Sequence, residues 1–144
     1  MQTFLPHPDF AKSAEVLDRQ RLGKQRVEVL QLLKALHGES KGWVNHPCTK
    51  MWRLHTRALV EYGNAICSEW RHRGYKDTCL DKILKYYYIP SIIRPASHFY
   101  PDWFGNEAFH ASHRAALLAK NLEWYGKFGW KEEPKIDYLW PTKR

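Results

Sequence analysis

The chain has 144 residues, enough for one domain with a hydrophobic core of its own. Its 23 Lys and Arg outnumber 15 Asp and Glu, giving a net charge of +8, and it carries 7 Trp, 8 Tyr and 6 Phe. The aromatic density excludes a disordered basic tail and a coiled coil, and the charge points to a polyanionic partner, most simply nucleic acid. No apolar run approaches the roughly 18–20 residues of a membrane span. Residues 1–10 hold prolines and a charge where a signal peptide is continuously apolar. Cys48, Cys67 and Cys79 are odd in number and form no Cys-x-x-Cys pair, which fits reduced thiols. A soluble, cytoplasmic, single-domain protein over residues 1–144 is expected, monomeric and with no membrane contact.

In chain order, Pro6 and Pro8 predict an extended or turned start. Ser13 is a good N-cap, and a helix is expected from there to about Leu36, with His37-Gly38 as its stop. At 100° per residue Leu22, Val29, Leu30, Leu33 and Leu36 share one arc, and Asp18, Arg21, Gln25 and Glu28 share the neighbouring one. Asn45 is placed to cap a second helix that holds Pro47 in its first turn and ends at Gly74. Its apolar stripe is Met51, His55, Ala58, Leu59, Tyr62, Ala65, Ile66 and Trp70. Thr78 with Asp81 resembles the capping box of a shorter helix over 78–88. Pro90, Pro95 and Pro101 predict a long loop over 89–103, and a further helix is expected from about Asn106 to Asn121. The C-terminal tail is rich in aromatics. With no sustained period-two alternation, the fold class is all-α: a compact single-domain bundle of three main helices plus a shorter one.

The first long helix carries Arg19, Arg21, Lys24 and Arg26 within eight residues, with Glu28 on the side of Arg21 two turns on. Cations at that density suit phosphates. A carboxylate among arginines stays ionised, which suits charge stabilisation or base work. The same pattern also describes a solvated helix face. Gly23 costs about 1 kcal/mol against Ala inside a helix, so something approaches the backbone closely there. His46, Lys50 and His98 are candidate phosphate contacts. His110 and His113, three apart on one helix, together with His46 offer a weak metal pattern and hence the reading of a metal-dependent hydrolase. Trp124, Tyr125, Lys127, Phe128 and Trp130 interleave rings with cations, either for stacking against bases or for packing the tail on the helices.

Three blocks resemble the pyrimidine-dimer DNA glycosylases: Asp18 to Glu28; Asn45 to Thr78, above all the run from Glu69 to Tyr75; and Asn106 to Gly126. The opening from Met1 to Pro6 is similar to a bacterial branch of that family. The resemblance implies a compact three-helix bundle acting on double-stranded DNA, excising a damaged pyrimidine (a pyrimidine dimer first) and cutting at the abasic site with no metal or other cofactor. It implies a backbone α-amine as nucleophile, forming a Schiff base with C1′ of the sugar. Such an amine ordinarily titrates at about 7.7–8 and is readily neutral. By this resemblance Met1 supplies the amine and Glu28 matches the essential glutamate. Lys24, one turn before Glu28, is the substitute amine. Arg21 and Arg26 would hold phosphates, and Trp124, Tyr125 and Phe128 match an aromatic stretch that touches DNA. The alternative is a DNA- or RNA-binding module on the same fold without the amine chemistry.

Overall fold

The computed structural model describes residues 1–88 and 99–141, and among these all regular structure is helical. Seven α-helices follow one another: α1 (Phe10–Val16), α2 (Arg19–Leu36), α3 (Pro47–Met51), α4 (Thr56–His72), α5 (Leu80–Leu84), α6 (Glu107–Lys120) and α7 (Leu122–Tyr125). The three long ones are α2, α4 and α6; α2 and α4 pack directly on each other, and α6 adds Phe109, Leu117 and Leu118 to the same core.

The helix expected from Ser13 to Leu36 is two helices. Asp9, not Ser13, caps the first, accepting a bond from Lys12 N. The chain is extended at Leu17 and Asp18. A tertiary contact holds this break open: Asp18 N donates to the Tyr125 hydroxyl at 3.0 Å, while Leu17 is fully buried. The stop is as expected. Gly38 has φ +75°, and Glu39 N bonds back to Lys34 O at 2.9 Å, the closure a left-handed glycine allows.

The second expected helix is also interrupted. His46 rather than Asn45 caps α3, its Nδ1 accepting from Cys48 N, with Pro47 in the first turn. Leu54 sits at φ +70° between α3 and α4. The shorter helix starts at Leu80 rather than at 78, because the Asp77 carboxylate accepts from Cys79 N and Leu80 N. It passes into a turn of 3-10 helix over Lys85–Tyr88. Pro90, Pro95 and His98 lie outside the described residues. In the described end of the 89–103 loop, Trp103 Nε1 donates to Met51 O at 2.9 Å. The helix expected from Asn106 is α6, with Asn106 accepting from Phe109 N.

The core lies between α2 and α4, with α1 also against α4. Leu22, Val29, Leu32 and Leu33 of α2 meet Ala58, Leu59, Tyr62 and Ile66 of α4, all fully buried. Gly23 has its explanation in this packing: a Cβ there would stand 2.9 Å from the Trp70 ring. Gly63 is under the same pressure, since its Cβ would stand 2.9 Å from Val29 Cγ1.

Candidate active site

Gln2 through Pro6 are buried and carry no regular secondary structure, running into the core instead of over the surface. Such a segment has no ladder to satisfy its backbone, so side chains must do it. Gln25 provides the largest share. Its Oε1 accepts from Phe4 N at 3.0 Å and its Nε2 donates to Gln2 O at 2.6 Å. Leu5 N donates to His113 Nδ1 at 2.9 Å, and Leu5 O lies 2.7 Å from His110 Nδ1. The Tyr62 hydroxyl stands 2.8 Å from Phe4 O and 2.5 Å from Gln25 Oε1. Trp52 Nε1 donates to Thr3 Oγ1 at 3.0 Å. Side chains of α2, α4 and α6, with Trp52 at the end of α3, thus fix Gln2 through Leu5.

This path delivers the Met1 amine to Glu28. The nitrogen lies 3.9 Å from Glu28 Oε2, within ion-pair reach and longer than a hydrogen bond. Glu28 Oε1 accepts from Gln25 Nε2 at 3.1 Å, so one glutamine orients both the segment and the carboxylate. The pocket around them, about 260 Å³, is lined by Met1, Gln2, Phe4, Gln20, Arg21, Lys24, Glu28, Lys120 and Tyr138. It holds one carboxylate and four cationic groups, one of them the amine. An anionic ligand fits that charge, and the carboxylate stands where a positive charge forming beside the amine would be stabilised.

Of the predicted residues, Met1, Glu28, Lys24 and Arg21 meet here. Arg21 is also paired with Asp18 at 3.3 Å. Arg26 turns the other way, to Asp77 Oδ1 at 2.6 Å and over the Trp70 ring at 4.5 Å. Arg19 lies on that same side, over Tyr75 at 5.9 Å. Arg19, Gly23, Lys24, Arg26 and Trp70 line a second, shallower groove. Lys24 borders both, so α2 presents cations to two neighbouring depressions. His46 has its Nδ1 spent on Cys48 N at 3.0 Å. Burial first, and then the positive chain terminus, hold His46 below its ordinary range. Lys50 is exposed on α3.

The tail rings are chiefly packing groups. Tyr125 is fully buried, its hydroxyl bonded to the Asp18 carboxylate. Trp130 stacks on Tyr125 at 5.7 Å and on Phe128 at 5.5 Å. Trp124 Nε1 donates to Val16 O at 2.7 Å, and Lys127 stands over its ring at 3.4 Å. Of this group only Lys127 is exposed.

The metal pattern on α6 is overturned. His110 bonds to Leu5 O and, through Nε2, accepts from Gly105 N at 3.0 Å, while His113 accepts from Leu5 N. Burial pushes His113 down to about 3, with His110 adding to the effect. Among the described residues no group of three or more His, Cys, Asp or Glu could hold a metal ion. Cys48, Cys67 and Cys79 are buried free thiols, and burial pushes Cys48 up to about 12, so it is no nucleophile.

Reasoning from sequence missed Gln25 as the organising side chain, although its place on the polar arc with Asp18 and Glu28 is a signal. It missed Lys120 and Tyr138, which carry none, because only the fold brings them to Met1. Among the described residues no helix is long and apolar enough to cross a membrane.

A family model described as pyrimidine dimer DNA glycosylase matches residues 1–83, more than half of the chain, which therefore belongs to that family. The match covers α1 to α4 and every side chain that holds the N-terminal segment except His110, His113 and Arg114. No curated protein and no solved structure matches the chain.

Proposed function

From that family membership we propose that the chain is a DNA glycosylase with abasic-site lyase activity, acting on a damaged pyrimidine, a pyrimidine dimer first, in double-stranded DNA. The observation that carries the reading is the approach of the Met1 amine to Glu28 within one cationic pocket, at 3.9 Å. The neutral amine attacks C1′ of the damaged nucleotide. The glycosidic bond breaks and the base leaves, taking up a proton. The C1′–O4′ bond then breaks as the C1′–N double bond forms, O4′ taking a proton that the amine gives up, which leaves a protonated Schiff base on the ring-opened sugar. Loss of the C2′ proton then expels the 3′ phosphate and cuts the strand. Glu28 stabilises the cationic sugar and carries protons between amine, sugar and base. Arg21, Lys24 and Lys120 hold the flanking phosphates.

The test is borohydride trapping on a duplex with one abasic site, in the presence of chelator. Reduction of the Schiff base leaves a covalent protein–DNA adduct, and peptide mapping is expected to place it on Met1. Mapping to Lys24 would move the chemistry to the substitute amine. Glu28→Gln should slow adduct formation by about 10²-fold or more while leaving DNA binding in place. Tight binding without any adduct in the wild type would leave a nucleic-acid-binding module. Intact mass decides beforehand whether the Met1 amine is free in the mature protein.

A further inference from the structure

The loop before α3 contains a feature that packing does not explain. Trp43 has φ +68°, a left-handed conformation that L-residues rarely adopt. Nor is its side chain buried, since 46% of it is exposed. The chain turns directly after it, His46 N donating to Trp43 O at 3.1 Å. The indole stands half out of the core, edge-on to His46.

Its neighbours connect it to the pocket. The Trp43 ring meets His46 at 5.5 Å and 75°, His46 meets Trp140 at 5.8 Å and 85°, and Trp140 meets Tyr138 at 5.7 Å. Tyr138 lines the pocket that holds Met1 and Glu28. A continuous rail of four rings therefore runs from the reacting amine to the exposed indole. The flanking cations are those of the pocket, with Lys50 exposed on α3 beside His46.

We propose that Trp43 is a base-stacking platform, taking the unpaired nucleobase of a nucleotide that flanks the one held at Met1. A protein partner would want a wider apolar patch. A single open ring joined to a cationic pocket by this rail fits a base on a strand whose phosphates continue into that pocket, and every base offers a π-face to it. The proposal rests on the amine reading for the position of the strand, but stacking is measured separately from chemistry.

The experiment uses the full chain and a duplex with a tetrahydrofuran abasic analogue, which binds without reacting, carrying 2-aminopurine on either side of the analogue. Wild type should change the probe's emission on one side. Trp43→Gly should abolish that change and weaken binding by about tenfold, with Trp43→Phe restoring most of both. Because glycine adopts φ +68° freely, Trp43→Gly should unfold in urea at or above the wild-type midpoint. A lower midpoint would make the ring a structural group and overturn the proposal, as would wild-type binding and emission in that variant. Borohydride adducts on a true abasic site are scored in parallel. Emission that depends on Trp43 without any adduct sinks the amine chemistry alone. An adduct with emission indifferent to Trp43 sinks the platform alone.

Discussion

Met1 and Tyr138 stand near opposite ends of the described chain and line one pocket, yet their segments reach it differently. The N-terminal segment is buried and held by directional bonds from Gln25, His113, His110, Tyr62 and Trp52. The C-terminal tail lies over the bundle, half-exposed, attached largely by rings. It adds a few backbone bonds, such as Lys135 N to Ala115 O at 3.0 Å. Arg114 ties the two together, donating to Pro6 O at 2.8 Å and pairing with Glu132 at 3.0 Å. Ring contacts tolerate sliding by a few tenths of an ångström, whereas a hydrogen bond to a buried backbone group does not. The end that must place one nitrogen against one carboxylate is the end with directional bonds.

The largest break in this comparison should come from Gln25→Ala. It strips partners from Phe4 N, Gln2 O and Glu28 Oε1 at once. Buried groups left unpaired cost about 1–3 kcal/mol each, so a loss of about 3 kcal/mol in urea unfolding is expected even after water enters. The abasic-site adduct should fall further than stability does, because amine and carboxylate lose their common guide. Unchanged trapping in a variant that still folds would show that Gln25 holds the segment without positioning the chemistry.

These bonds also mark where the sequence stops being legible. The leucine arc gave the core face of α2, and Gly38 and Gly74 gave its end and that of α4, because periodicity and left-handed glycines are local signals. The break at Leu17–Asp18 is not local, since it depends on Tyr125 more than a hundred residues away. The path of Gln2 to Pro6 has no periodicity to read, and its partners on α4 and α6 are bonded by geometry alone. Glu28 is legible through resemblance to a family rather than from its neighbours, whose spacing favours a solvated face. The tail rings were placed by composition at two destinations, and only the fold assigns Tyr125 to the core.

Acid should loosen the N-terminal end next. His113 is buried neutral, pushed down to about 3 from an ordinary 6.5. Between those values the unfolded chain binds a proton that the folded chain refuses, so stability is full above 6.5 and falls as pH drops toward 3. The slope is about 1.4 kcal/mol per pH unit, a loss of about 2 kcal/mol between pH 6.5 and pH 5. His110, also held low, first by burial, acts in the same direction. His113→Gln, which keeps an acceptor for Leu5 N, should remove one proton from the slope measured by urea midpoints across that range. An undiminished slope would place the acid sensitivity elsewhere.

The smallest effect should come from the tail. Trp124→Phe keeps a ring under Lys127 and loses only the indole bond to Val16 O. One such bond is worth about 1 kcal/mol, and DNA affinity should not change, since the ring is held against α1 rather than offered to a ligand. A tenfold loss of affinity without a matching loss of stability would give the indole a place at the DNA after all. The tail would then share in recognition beside the chemistry proposed for the N-terminal end, and the division between a bonded end and a stacked end would mark two kinds of contact with one substrate instead of a site and its scaffold.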